Sequence, residues 1–281
     1  MNQAYDSKVI IITGASSGIG KAMAEQLSQS GHIVYALARR LPDGLTDPKQ
    51  IHFFEPGLHC PVQLDVTDPV AAQHVIKQII GRERRIDILV QAAGFGLAGA
   101  VEDATPEEMD AQIDTNLLGS CYLLNPVLVQ MRLQHDGLIV QLSSVASFMP
   151  LPFQAYYSAS KAAVTSLMLA LANEVRPFGI QVMVVQPGDT QTGFTDSRIM
   201  SSLSSRSSYA DRSRRSVSKM AADEQKGMTS ARMAGLIIRR MFQKRPPLIY
   251  IPGLFYKAAA VVQRILPARL VNSLLYLLYA R

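Results

Sequence analysis

An apolar, β-branched run, Val9-Ile10-Ile11-Ile12, breaks at Thr13 into Gly14-Ala15-Ser16-Ser17-Gly18-Ile19-Gly20, and helix-compatible residues follow with no polar linker between. This joint constrains the fold more than any other stretch, because a strand must hand over to a helix within a few residues that carry almost no side-chain bulk. Glycines permit the tight turn, and the free N–H groups and dipole at a helix start favour negative charge, so a pyrophosphate can approach the backbone there. The spacing is Gly-x3-Gly-x-Gly rather than Gly-x-Gly-x-x-Gly. Close packing of strand on helix would need the same glycines without a ligand, but the position after the first strand favours nucleotide binding.

The rest of the chain repeats the strand-helix alternation. Short β-branched runs at 8–13, 32–38, 62–66, 86–92, 138–143, 181–186 and 248–251 read as seven strands. Between them, 18–29, 69–80, 106–133 and 155–176 have the length and patterning of helices. Continuously apolar strands separated by helices imply a mainly parallel sheet covered on both faces. The expected fold is therefore α/β, a single-domain Rossmann fold over 1–252 with a tail at 253–281. Residues 41–61, rich in proline and without periodicity, read as a loop that replaces or shortens a crossover helix. From 195 to 229 the texture turns to Ser, Arg, Lys and Met. That stretch is either a linker or, because it follows a strand end, part of a substrate lid spanning 189–230.

Composition narrows the function classes. With 281 residues, 48% hydrophobic, the chain can bury a large core. A net charge of +6, without a run of five like charges, fits an anionic cofactor or a membrane surface as readily as nucleic acid, so charge alone does not choose; no nucleic-acid partner is expected. The cysteines, Cys60 and Cys121, and the five histidines lack ligand spacing, so no metal is expected and a reducing, cytoplasmic setting fits. No signal peptide or spanning segment is expected.

Two further features carry chemistry. The second strand ends at Ala38-Arg39-Arg40, with no acidic residue where folds that select NAD usually hold the ribose. Arg39 and Arg40 can instead clamp a 2′-phosphate through paired charge-assisted bonds, so NADP(H) is the expected cofactor. In Tyr156-Tyr157-Ser158-Ala159-Ser160-Lys161 a tyrosine stands four residues before a lysine, on one helical face. A cation beside a phenol favours its ionised form, which suits proton exchange with a carbonyl oxygen; a half-buried tyrosine and a solvated lysine would show the same spacing.

Taken together, Thr13 to Gly20, Asp65-Val66, Asn116, Ser144, Tyr157 and Lys161, with Pro187-Gly188 and then Thr192, resemble a classical short-chain dehydrogenase/reductase over about residues 7–196. Arg39-Arg40 and Leu151-Pro152-Phe153 are more loosely similar to its 17β-hydroxysteroid and retinol dehydrogenase branch. The resemblance implies that Tyr157 exchanges the proton, Lys161 lowers its pKa and holds the nicotinamide ribose, and Ser144, rather than Ser143, bonds the substrate oxygen. It implies that Asn116 holds a water linking Lys161 to solvent. Cofactor contacts would come from Gly14, Ser16, Ser17, Gly18, Ile19, Gly20, Ala93, Gly94, Pro187, Gly188, Thr190 and Thr192, with Asp65 and Val66 at the adenine. Gln91-Ala92-Ala93-Gly94 departs from the family's Asn-Asn-Ala-Gly, which bears on local support of the sheet.

The substrate is expected to be a hydrophobic ketone, aldehyde or alcohol such as a steroid or retinoid, with Phe148 and Phe153 among an apolar lining that also takes in Met149, Leu151, Phe194, Met200 and Met220. The alternatives are a 3-oxoacyl-(carrier or CoA) reductase, its phosphates met by Arg198, Arg206, Arg212, Arg214 and Arg215, and a non-catalytic cofactor-sensing protein. The 254–281 stretch, broken at Pro267, reads as an amphipathic helical pair that either lies on a membrane surface or packs over the pocket or a neighbouring subunit. A homodimer or homotetramer through helices 106–133 and 155–176 is implied by resemblance.

Overall fold

Alternate residues of the apolar strands point to opposite sides of one sheet and so build two cores. Ile11, Leu89, Ile139 and Val184 face one side, with Ala72, Ile76, Leu123 and Val164 of the covering helices. Ile10, Ile12, Val90, Val140 and Val185 face the other, with Met23, Leu27, Ala234 and Ile237. Burying each such aliphatic side chain is worth about 1.5–3 kcal/mol before entropy is counted, and burial on both faces explains why the strands read as unbroken apolar runs.

The computed structural model describes residues 7–40, 59–195 and 197–281. The seven strands are β1 (Val9–Thr13), β2 (Ile33–Ala38), β3 (His59–Gln63), β4 (Ile88–Gln91), β5 (Gly137–Leu142), β6 (Ile180–Val185) and β7 (Ile249–Tyr250). They lie in the order β7-β6-β5-β4-β1-β2-β3 and every pairing is parallel. The fold is thus the expected Rossmann type. The order reverses between β1 and β4, and ligands of such sheets bind in the crevice at the strand C-termini beside that reversal.

Helix α1 (Gly18–Gln29) lies on one face of the sheet and α2 (Pro69–Glu83) on the other; α2 is started by the Asp68 carboxylate, which accepts from the backbone N–H groups of Val70 and Ala71. The third strand lies three residues earlier than its apolar run suggests. Its register is set by β2, which ends at Ala38 opposite Gln63, so Leu64 to Val66 leave the sheet. Pro61 is tolerated because β3 is an edge strand. Of the expected 41–61 loop, 59–61 therefore belong to β3, and 41–58 lie outside the described residues.

The helix expected at 106–133 is interrupted. α3 (Pro106–Ile113), opened by a Thr105–Glu108 capping box, runs into a π-helical turn at Asp114–Leu118 before α4 (Gly119–Gln134). The long α5 (Ala155–Val175) follows β5. The 195–229 stretch is no linker: it contains α6 (Ala210–Gln225), whose Ser213, Ser216 and Met220 are buried. Two-residue bridges tie it down, Ile199–Met200 to Leu97–Ala98 and Thr190–Gln191 to Met228–Thr229. Then come α7 (Ser230–Met241), packed beside α1, and the tail helices α8 (Leu254–Ile265) and α9 (Ala268–Tyr279), parted at Pro267.

The glycine joint leaves no room for a side chain. A Cβ on Gly20 would fall 2.5 Å from the Gly14 carbonyl oxygen, a backbone atom that cannot swing aside, whereas a Cβ on Gly81 in α2 would meet nothing within 4 Å. Gly20→Ala should therefore cost about 1–3 kcal/mol, and Gly81→Ala should be neutral or stabilising by about 0.5–1 kcal/mol. Chemical denaturation of both variants against the parent checks the contrast.

Candidate active site

A cavity of about 590 Å³ opens at the β1/β4 reversal. Its floor is the glycine joint. Gly14, at φ +66°, lies so close to β4 that a Cβ would stand 2.7 Å from the carbonyl of Ala92. Thr13 Oγ1 fixes that approach by accepting from the backbone N–H groups of both Ala92 and Ala93, each at 3.1 Å. Ser17, the N-cap of α1, makes no side-chain cap bond, which leaves the helix start open to a ligand. Gly14, Ser16, Ser17, Gly18, Ile19, Gly20, Arg39, Arg40, Val66, Ala93, Gly94, Pro187, Gly188, Thr190 and Thr192 all line the cavity. The bare cradle, the open helix start and two exposed arginines at the end of β2 fit a nucleotide pyrophosphate and a further phosphate.

Asp65 is the exception among the expected cofactor residues. It is not in the cavity wall; its carboxylate accepts from the Thr67 backbone N–H and hydroxyl at 3.0 and 2.8 Å, shaping the turn after β3.

The reactive groups come from two elements. Ser144, at the end of β5, and Tyr157 and Lys161, one turn apart in α5, all face the cavity. Tyr157 is 8% exposed and its ring lies 5.4 Å from that of Phe194. Burial pushes its hydroxyl up to about 12, opposed by a hydrogen bond from Ser144 and raised further by the Glu224 carboxylate. Lys161 is pushed down to about 8 by burial. Its Nζ donates to the Leu142 carbonyl at 3.0 Å and stands 5.8 Å from the centre of the Tyr157 ring. In this geometry Tyr157 is a neutral acid, with burial outweighing the other influences on its hydroxyl.

The choice between Ser143 and Ser144 follows from their partners. The Ser143 hydroxyl donates to the Lys161 carbonyl at 3.0 Å and meets Thr165 Oγ1 at 2.7 Å, so it is turned into α5. Asn116 sits in the π-helical turn, fully buried and behind the cavity wall. Its amide donates to the Phe95 carbonyl and to Ser160 Oγ, both at 3.0 Å, and its oxygen accepts from the Phe95 N–H at 3.1 Å. These bonds brace the segment after β4 against α5. A Cβ on Gly94 would lie 3.0 Å from Asn116 Oδ1 and 3.4 Å from Lys161 Nζ, which places both groups on one side of that glycine. Where the family has asparagine, Gln91 spans from β4 to α4 and donates to the Ser120 carbonyl at 2.7 Å.

The expected apolar lining is only partly correct. Leu151 and Phe194 line the cavity, but Phe148 and Phe153 do not. Phe153 has φ +60°, and its ring lies instead against Tyr209 and the Arg212 guanidinium. Sequence reasoning missed Gln154, which is 2% exposed, lines the cavity and leaves its Nε2 without a protein partner. It also missed Glu224 in the wall, held by the buried Arg198 guanidinium and the Thr195 hydroxyl. The third is Tyr256 of α8, whose ring occupies the space a Cβ on Gly188 would need and whose hydroxyl accepts from the Asp189 N–H at 3.0 Å and donates to its carboxylate. No local pattern marks these three.

Lys161 has a pKa below its ordinary 10.5 in the folded protein, so it contributes a destabilisation below about pH 8 that is relieved as pH rises towards 10.5, where the unfolded chain binds the extra proton. The stability difference between Lys161→Met and the parent should accordingly shrink across that window. Paired denaturation curves at pH 7, 9 and 10 measure it; a pH-independent difference would contradict this burial effect.

The sequence profile described as short chain dehydrogenase matches residues 8–202. A 3-ketodihydrosphingosine reductase of Bacteroides thetaiotaomicron is 39% identical over 241 residues, covering 85% of this chain and 86% of that protein. A monensin polyketide synthase putative ketoacyl reductase of Streptomyces virginiae is 38% identical over 189 residues, covering 66% of this chain and 72% of that one. Among solved structures, a short-chain dehydrogenase from Streptomyces avermitilis superposes with a TM-score of 0.78 at 29% identity, covering 96% of both chains. By profile, relatives and fold together, the chain belongs to the short-chain dehydrogenase/reductase family.

Proposed function

We propose that this oxidoreductase is an NADP(H)-dependent reductase of a ketone carried on a long hydrocarbon chain, with a 3-keto sphingoid base as the first candidate. The observation that carries the reaction is the convergence of Ser144, Tyr157 and Lys161 on one wall of the cavity that begins at the glycine cradle. The nicotinamide cofactor supplies the hydride when bound. Tyr157, kept protonated by burial, donates a proton to the carbonyl oxygen. Ser144, in the same cavity wall as Tyr157, orients and polarises that oxygen. Lys161 would hold the ribose, and Asn116 keeps α5 and the Phe95 segment in register. The partnerless Nε2 of Gln154 is a donor for a second polar group beside the carbonyl.

The substrate class rests on the named activity of the Bacteroides relative and on the apolar Leu151, Phe194 and Ile199 in the wall. It replaces the steroid or retinoid expected from the looser branch similarity. The 3-oxoacyl alternative keeps support from the Streptomyces virginiae relative. Of its proposed phosphate-binding arginines, Arg198 is paired with Glu224 and Arg212 donates to the Ala280 carbonyl, whereas Arg206, Arg214 and Arg215 are exposed. The intact catalytic set speaks against a purely cofactor-sensing role. A cytoplasmic homo-oligomer is part of the same reading, with Val129 and Leu133 exposed on α4.

With NADPH, the purified protein should reduce a long-chain 2-amino-3-ketone. Tyr157→Phe should lower kcat by about 10²–10⁴-fold, the usual contribution of a positioned acid, while leaving cofactor affinity near that of the parent; near-normal turnover would remove Tyr157 from the mechanism. The cofactor preference tests separately. NADPH should exceed NADH in kcat/KM, and Arg39→Ala should narrow that ratio by about tenfold or more, the worth of a charge-assisted bond. Equal ratios for the parent and the variant would remove Arg39 from cofactor selection.

A further inference from the structure

The charge of this chain is divided along its length. Ten of its 28 Lys and Arg residues, and none of its 22 Asp and Glu residues, fall within 225–281, so the mildly basic whole is an acidic body joined to a strongly cationic C-terminal part. That part ends in α8 and α9, and these helices leave most of their apolar surface uncovered. In α8, Leu254, Val261 and Ile265 recur at i, i+7 and i+11 beside Phe255 and Val262; Leu254 is 84% exposed and Phe255 and Ile265 are each 75% exposed. In α9, Leu270, Leu274, Leu277 and Leu278 form a second exposed stripe. Lys257 and Arg264, seven residues apart, flank the first stripe, and Arg269 and Arg281 begin and follow α9.

The opposite sides of the helices are docked on the protein. Ala260, Leu275 and Ala280 are buried, Tyr256 is bonded to Asp189, and Arg212 holds the Ala280 carbonyl at 2.8 Å. The exposed stripes therefore belong to an anchored element and are larger than scattered surface leucines require. Among the described residues, no helix is long and apolar enough to cross a membrane.

We infer that α8 and α9 form a docking surface for an anionic lipid bilayer, lying in its interface with the apolar stripes inserted and the lysine and arginines among the headgroup phosphates. Apolar area and cationic side chains act together in such contacts, and long basic side chains reach past a buried stripe to the headgroups. A second copy of this chain fits less well, because a two-fold contact through this face would bring two cationic, acid-free surfaces together. Tyr256, one turn inside α8, packs on Gly188 in the cavity wall, so the docked face borders the site. The location suits an enzyme whose substrate resides in lipid, a consequence that rests on the long-chain substrate proposed above.

The test is co-sedimentation of the full-length protein with phosphatidylglycerol and with phosphatidylcholine vesicles, alongside Phe255→Ser/Ile265→Ser and Arg264→Glu/Arg269→Glu. All four positions are exposed, and unchanged thermal unfolding and NADPH binding verify that the variants fold. The parent should pellet at least tenfold more with the anionic vesicles, less so at raised salt, and each double variant should lose most of that binding. Failure of the parent to pellet with either vesicle overturns the inference. So does an oligomer that dissociates in Phe255→Ser/Ile265→Ser while vesicle binding is unchanged, which would assign the face to a second copy. Pelleting without turnover of a long-chain ketone would leave the docking surface standing and reject the substrate reading.

Discussion

The approach of the β1–α1 joint to the end of β4 is the contact on which the rest of the site depends. Gly14 and Gly20 bring three backbone segments within distances that no Cβ would allow, and Thr13 holds them there with two hydrogen bonds to Ala92 and Ala93. Because the sheet is parallel and its order reverses at this point, the loops that follow β1 and β4 must diverge, and the crevice between them is a necessary product of topology. Side chains at these glycines would strike the backbone and force the segments that floor the cavity apart.

Against that crevice the protein places two titratable groups under the same constraint with opposite results. Burial raises the pKa of Tyr157 and lowers that of Lys161, so each is driven towards its neutral form. A protonated tyrosine is the form required of a proton donor. The lysine is held close by the Leu142 carbonyl, a fixed point at the end of β5, while Ser143 and Thr165 secure the turn of α5 that carries it. The π-helical turn at Asp114–Leu118 serves the same end. Its wider turn holds Asn116 within bonding distance of both Phe95 and Ser160 and so ties the segment after β4 to the helix that carries the reactive pair.

The C-terminal part extends this logic outwards. Residues 189–229 make a wall from short bridges and α6, and α6 is in turn held by Arg212 to the last helix and by Arg212 to Phe153 at the start of α5. Phe153, unusual in its left-handed backbone, is a fastening between α5 and α6 in this arrangement. The tail packs beside the cavity with one side of its helices and presents an apolar, cationic face with the other.

Much of this was legible in order of residues alone. The apolar runs and their intervening periodicity give the seven strands and the parallel sheet, because burial on both faces leaves a composition signal that needs no partner to be read. The glycine spacing, Arg39-Arg40, and the i, i+4 pair Tyr157 and Lys161 are likewise local, and the structure gathers them at one cavity with Ser144. The extent of β3 was not legible, since an edge strand ends where its neighbour ends. Neither was the break in the 106–133 helix, which follows from bonds to Phe95 and Ser160 elsewhere in the chain. Only the tertiary structure decided that Phe153 faces Arg212 instead of the cavity, that Gln154, Glu224 and Tyr256 join the site, and that Lys161 bonds the Leu142 carbonyl. Each of these depends on which distant group a side chain meets after folding, and no spacing along one segment encodes that meeting.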